Sequence, residues 1–424
     1  MNIRMDKVFL SKLKKSKDAV RLIENFSYLV VLQLGGYVLP ILTYPYLARV
    51  IGVEGFGKIA FAMSLIVYFM TIIDWGYNFT ATREVARNRD NLNALSEIYS
   101  VVTSSKILLL VISLVVLCCG IITIPLLNDY LDVILFSFTM LIGYSIFPEW
   151  LFQGLENMRF IVILNLLSKV FFTILIFIFV KTPEDYVFQP LFSGLGYVLA
   201  GVISLIYIKN KLNIKFHFCS FNRIFSSIKD SFDVFINNLM PNLYNSFSVI
   251  LLGYFGGSCA NGLLDAANKF YTICAQFLTV LSRAFFPFLS RRIDKHNVFV
   301  KIKLCLTFFF AIILVLTAKP LIEIVLGESF IEAVPLLQIL GVSLILHSIT
   351  NIYGTNFLII IGKEKLLRNI TAIVSIIGFI VSFPLIYFYS YLGAACTVAI
   401  TRILLGVVVL YVAKSIAKTS NNIN

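Results

Sequence analysis

Uninterrupted apolar stretches of about twenty residues, the length at which a helix crosses the hydrocarbon core of a bilayer, recur along the whole of this 424-residue chain. Twelve are read, at about 26–50, 56–79, 101–124, 133–152, 160–180, 188–208, 234–255, 265–289, 304–326, 334–361, 370–389 and 392–412. They are continuous and lack the short alternation of barrel strands, so the expected fold is an all-α polytopic membrane protein of about twelve transmembrane helices. Composition makes sense only with lipid as the solvent: 59% of residues are hydrophobic and 13% charged, about half the charge usual in a soluble domain. The expected organisation is a basic cytoplasmic segment 1–25, a six-helix bundle 26–208, a cytoplasmic linker 209–233, a second six-helix bundle 234–413 and a cytoplasmic tail 414–424. The longest polar interval, 209–233, is too short to form a domain of its own.

With the N-terminus inside, twenty-seven lysines and arginines, Lys106 and Lys303 among them, fall at cytoplasmic ends and five at the other side. This bias predicts that both termini are cytoplasmic. It also accounts for the net charge of +13 as a topological signal plus contact with anionic headgroups, so no nucleic-acid partner is expected. The seven cysteines and three histidines are scattered through the chain, with no spacing that makes a metal site or a disulfide framework. GVEGFGKI (Gly52 to Ile59) imitates a phosphate-binding loop, but Ile59 stands where a magnesium-binding Ser or Thr is needed, and membrane spans flank it. Its glycines are expected to make an external turn instead.

A faint repeat pairs Gly55 and Ala60 with Gly262 and Ala267 at an offset of 207, and Gly154 and Glu156 with Gly362 and Glu364 at 208. Both offsets map six spans onto six, a transporter plan with the substrate path between two parallel halves.

Polar side chains at membrane depth are costly unless they face protein or water, so function is sought there. In the eighth span Asp265, Lys269, Thr272, Gln276, Thr279 and Arg283 follow one another at intervals of 4, 3, 4, 3 and 4 and share one helical face. That face is either the wall of a hydrated cationic cavity or a set of snorkelling ends with interhelical glue. The seventh span carries Asn237, Asn238, Asn242 and Asn245 around Pro241; Lys169 lies mid-way along the fifth span with Asn165 and Thr173, and Arg402 along the twelfth. Asp74, one turn from Thr71 and Asn78, is expected to point at these cations, either as a structural counter-ion or as a titratable coupling site. Glu149 is the other carboxylate available to them, and Arg83, Arg87 and Arg89 cap the inner end, with Arg83 reaching toward the cavity mouth.

LARVIGVEGFGKIAFA (Leu47 to Ala62), TREVARNRD (Thr82 to Asp90), PEWLFQGLENM (Pro148 to Met158) and AANKFY (Ala266 to Tyr271) resemble the O-antigen and polysaccharide repeat-unit flippases. These are the Wzx-type branch of the multidrug/oligosaccharidyl-lipid/polysaccharide exporter superfamily. The resemblance spans the chain. It implies twelve helices in two bundles around a cationic cavity, and transport of an undecaprenyl-diphosphate-linked oligosaccharide from the cytoplasmic to the periplasmic leaflet of a bacterial inner membrane. It implies no cofactor beyond a proton or cation gradient, and as partners the lipid bilayer and the polymerase and chain-length regulator of the same pathway. Unlike the related lipid II flippases, this chain has no arginine in its first span before Arg49, so residue roles from that branch are not carried over. A drug/cation antiporter would share the fold but favour carboxylates in its cavity. A membrane polymerase would need a large external loop.

Overall fold

The computed structural model describes residues 17–421, with positions 17–41, 284, 287, 291 and 419–421 described by backbone alone. The expected basic segment 1–25 and tail 414–424 therefore lie largely outside the side chains described. The first half comprises α1 (Lys17–Asp74), α2 (Tyr77–Arg87), α3 (Leu92–Thr123), α4 (Leu131–Ile146), α5 (Glu149–Gly154), α6 (Met158–Phe179) and α7 (Phe188–Tyr207). The second comprises α8 (Phe221–Leu239), α9 (Ser246–Arg291), α10 (His296–Leu316), α11 (Ala318–Val325), α12 (Val334–Ile349), which runs on as π-helical turns over Thr350–Ile359, and α13 (Glu364–Asn421).

Among the described residues nine helical stretches are long and apolar enough to cross a membrane. Three of them, Leu42–Arg87, Phe221–Arg283 and Glu364–Lys418, would measure about 70–95 Å if straight, more than twice a bilayer core. They are not straight. α1 breaks at Gly52 (φ 64°), α9 at Gly257 (φ 77°) and α13 at Ser390 (φ 47°), left-handed backbone that glycine adopts without steric cost. Across the α9 break, a Cβ placed on Gly253 would come within 2.9 Å of the Asn261 side-chain Nδ2, although a straight helix holds residues eight apart about 12 Å from each other along its axis. Gly393 meets the Leu385 carbonyl across the α13 break in the same way. Tyr46 and Lys58, on either side of Gly52, both reach the 180–186 loop, by a 2.6 Å hydrogen bond to the Val180 carbonyl and over the Tyr186 ring. Division at these three turns is consistent with twelve crossings. Of the GVEGFGKI glycines, only Gly52 makes the turn; Gly55 and Gly57 lie inside the helix that follows.

Sequence periodicity places α3 too late. Asn91 caps it by accepting from the N–H groups of Asn93 and Ala94, so the helix starts at Leu92 rather than near 101 and carries Lys106 about 21 Å along its axis. The second span does not continue to Phe79. It stops at Asp74, turns through Trp75 (φ 45°) and Gly76 (φ 84°), and resumes as α2. The break is held from the second half: Trp75 Nε1 donates to the Ile228 carbonyl at 2.8 Å, and its ring stacks on Phe235 at 3.9 Å.

One buried apolar cluster joins the halves around the Gly52 and Gly257 turns, with Leu47, Ile51 and Phe56 against Leu252, Leu263, Phe330 and Leu336. The other buried clusters stay within a half: Phe61, Ile73, Trp150 and Phe152 in the first, Phe299 with Ile352 and Leu358 with Val409 in the second. Backbone pairing at the junction is reciprocal. Gly57 packs on the Ser258 carbonyl and Gly262 on the Val53 carbonyl, which sets the local repeat offset at 205, with Gly57 rather than Gly55 matching Gly262.

Candidate transport site

Asp74 ends the first crossing that follows the Gly52 turn and is only 6% exposed. Its carboxylate faces the backbone N–H groups of Gly76 and Asn78 and the Tyr144 hydroxyl, while Oδ1 has no hydrogen-bond partner. The helix break at Trp75–Gly76 is what supplies those N–H groups. The cation nearest in effect is Lys106, not the expected Lys169, Lys269, Arg283 or Arg402. Lys106 is 2% exposed, donates to the Tyr144 carbonyl at 2.9 Å and lies 4.7 Å from the Tyr144 ring centroid. Glu149, at the start of α5, interacts with Lys106, Asp74 and Lys169. Two carboxylates and two lysines thus lie within interaction range of one another inside the first half, with no ion pair among them closer than 4 Å. Ser96, Ser100, Ser105 and Lys106 are all buried on α3, and reading Lys106 as a cytoplasmic end residue missed its burial.

At Lys269 the polar face of α9 meets the first half. Lys269 pairs with Asp265 at 3.3 Å and lies 4.7 Å from the centroid of the Tyr44 ring on α1. Thr272 and Arg283 are exposed, and Gln276 and Thr279 are half-buried, so the face stays open along its length despite the apolar helix around it. Arg402 is not on this face. It stacks on Tyr271, 4.1 Å from the ring centroid, and donates to Asn245 Oδ1 at 3.3 Å. Tyr271 is two residues from Lys269, about 200° round the helix, so Arg402 packs on the far side of α9, where its Nη1 is buried without a partner.

Asn242 holds the halves together rather than lining open space: its Nδ2 donates to Thr71 Oγ1 at 2.9 Å, and its carbonyl accepts from Tyr68 at 2.7 Å. Arg83 is exposed and shares a cavity of about 450 Å³ within the first half with Glu149, Asn78 and Gln153. Lys303, counted from sequence as a cytoplasmic end residue, is fully buried and hydrogen-bonded to Ser282. Each half therefore buries one lysine of its third crossing, and among the described residues carboxylates stand near Lys106 but not near Lys303. Among the described residues no group of His, Cys, Asp and Glu could hold a metal ion.

Residues 22–293 match the family model described as polysaccharide biosynthesis protein. A relative from Escherichia coli (strain K12), provisionally named an O-antigen transporter, is 32% identical over 90% of this chain and 94% of its own length. One from Shigella dysenteriae, provisionally named in the same way, is 29% identical over 93% and 99%. Two solved structures share the fold. An inward-facing multidrug resistance MATE family transporter of the MOP superfamily superposes with a TM-score of 0.71 at 14% identity, covering 91% of this chain and 99% of that one. The lipid II flippase MurJ in an inward closed conformation superposes at 0.61 with 16% identity, covering 91% and 87%. The fold is that of the MOP superfamily transporters, and with its family pattern over 22–293 and a 32%-identical relative matched along nine-tenths of its length, this chain belongs to the polysaccharide biosynthesis protein family.

Proposed function

We propose that this chain is an O-antigen or related surface-polysaccharide transporter, which moves undecaprenyl-diphosphate-linked repeat units from the cytoplasmic to the periplasmic leaflet of the bacterial inner membrane by alternating access. Family and fold make it a transporter and not an enzyme. The observation that supports the finer reading is the polar face of α9, part-exposed from Lys269 to Arg283, with Lys269 lying over Tyr44 of the first half. A sugar diphosphate is anionic and strongly hydrated, and hydrocarbon offers it neither charge nor water. A seam with cations and hydroxyls supplies both. Lys269 and Arg283 are fourteen residues apart, about 21 Å, so they act as successive stations and not as one clamp. The halves 26–208 and 234–413 rock about the Gly57–Gly262 contact, and a proton or cation gradient acts through the cluster of Asp74, Lys106, Glu149 and Lys169. Polymerase and chain-length regulator receive the unit on the far side.

Complementation of a flippase-null strain, scored by lipopolysaccharide laddering with protein level measured in parallel, tests the seam. Lys269→Arg and Arg283→Lys are expected to retain partial laddering. Alanine at either position lowers it about tenfold, and glutamate abolishes it. A normal ladder from the Lys269→Glu/Arg283→Glu protein would overturn the assignment of this face to the anion path. Drug efflux without laddering would indicate an antiporter instead.

A further inference from the structure

We propose that the first half holds a pocket for one pyranose unit of the transported glycan, built by α6 and α7 and closed by Tyr44. This rests on the reading of the chain as a glycan transporter and adds a specificity site away from the anion path. A cavity of about 210 Å³ lies there, lined among others by Tyr44, Asn165, Lys169, Gln189, Ser193 and Tyr197. At about 30 Å³ per water it holds roughly seven waters, a space for one ring sugar, and it falls short of the about 300–1,000 Å³ that drug-sized ligands occupy.

The lining, apolar for the larger part, carries amide, hydroxyl and ammonium groups that a lipid-facing wall would lack. On α6 the exposed side chains Ile163, Leu167, Val170, Ile174 and Ile178 occupy one side of the helix, and Asn165 and Lys169 the opposite side. Ser168 Oγ and Gln189 Oε1 are buried with no hydrogen-bond partner, and Ser168 is only 7% exposed. Buried polar atoms left unpaired are destabilising, and a prenyl or acyl chain would leave them so. A pyranose presents hydroxyls, each both donor and acceptor, to the amide, hydroxyl and ammonium groups, and C–H faces to Tyr44 and Tyr197. Lys169 forms no ion pair within 4 Å among the described residues, so its ammonium donors remain available to sugar oxygens. Tyr44 stands between this pocket and Lys269, which places a sugar beside the path taken by the diphosphate.

Saturation-transfer NMR on the full-length protein in micelles tests this with methyl glycosides of glucose, galactose, mannose, rhamnose, N-acetylglucosamine and glucuronic acid. At least one is expected to bind saturably. Gln189→Leu, which removes a sugar partner, and Gly196→Phe, which fills the pocket, are each expected to weaken that binding about five- to tenfold. Ile163→Ala, on the lipid side of α6, is expected to leave it unchanged. Should Gly196→Phe fail to yield monodisperse protein, Ser193→Leu takes its place. Absence of saturable binding, or equal binding by the filled variants, overturns the pocket. Laddering separates the two readings: a wild-type ladder that Gly196→Phe leaves intact removes the pocket and keeps the transporter, whereas pocket-dependent binding without any wild-type ladder keeps the pocket and removes the O-antigen assignment.

Discussion

Asp74, Lys106 and Glu149, with Lys169 at their edge, offset one another's charge. Each alone would be a charge stranded in low dielectric, so removing one leaves its neighbours less compensated. Lys106→Met or Asp74→Asn is therefore expected to lower thermal stability in detergent markedly, while the double variant, which restores charge balance, recovers most of the loss. Laddering by the stable double variant then separates the two roles of Asp74. Activity marks a structural counter-ion, and a stable but inactive protein marks a coupling site; the second is the expected outcome, since Asp74 Oδ1 has no partner and a carboxylate built only for structure would be satisfied. At this scale the sequence was half legible. Asp74, Glu149 and Lys169 stand out by sitting in apolar runs. Lys106 does not, because VVTSSK reads as the approach to a span until the Asn91 cap is known to start the helix nine residues earlier.

Two kinds of glycine govern the helices that carry this set. Gly52 and Gly257 are needed for backbone, with positive φ and open space around a would-be Cβ. Gly57 and Gly262 are needed for space, each pressed on a carbonyl of the other half. The difference is measurable. Gly52→Ala is expected to cost about 1–3 kcal/mol of strain and keep transport, whereas Gly57→Leu or Gly262→Leu prevents the halves from meeting and is expected to abolish laddering at normal abundance. Gly120→Ala, which would only touch Leu127 at 3.4 Å, serves as the neutral comparison; equal ladders from Gly57→Leu and Gly120→Ala would show that the junction need not close. The repeat behind these contacts was visible in sequence, but with Gly262 matched to Gly55. Few identities survive between the halves, and only the reciprocal contact identifies Gly57 as the equivalent.

Across the whole molecule, contacts sort the loops into two ends. Arg89 pairs with Glu156, Lys215 N–H donates to Ser96, and Asn88 shares a cavity with Arg223, which gathers the 88–96, 156 and 213–223 regions at one end. Phe56 packs on Phe330, Lys58 on Tyr186, and Gly256 on Ser390 at the other. The lysines and arginines crowd the first end, and since positive loops are retained in the cytoplasm, that end is proposed to face inward. Removing the buried Lys106 and Lys303 from the count leaves the bias intact. The spans and their likeness to a known fold were legible because bilayer thickness imposes a length on every crossing. The side of α9 that meets each cation was not, since Lys269 and Arg402 part company only once Tyr271 is packed between α9 and α13. Reporter fusions after Asn88, Asn213, Asn297 and Lys363 are expected to report cytoplasm, and fusions after Asn128 and Glu184 periplasm. Asn128, Glu184, Asn297 and Lys363 are exposed and Asn88 and Asn213 lie in turns between helices, so a fusion there truncates no crossing. Reversal at two or more sites with the others unchanged breaks the twelve-crossing assignment. Reversal at all six keeps the crossings and inverts the chain, which would put Arg83 and Arg283 at the periplasmic mouth and contradict uptake of an anionic head from the cytoplasmic leaflet.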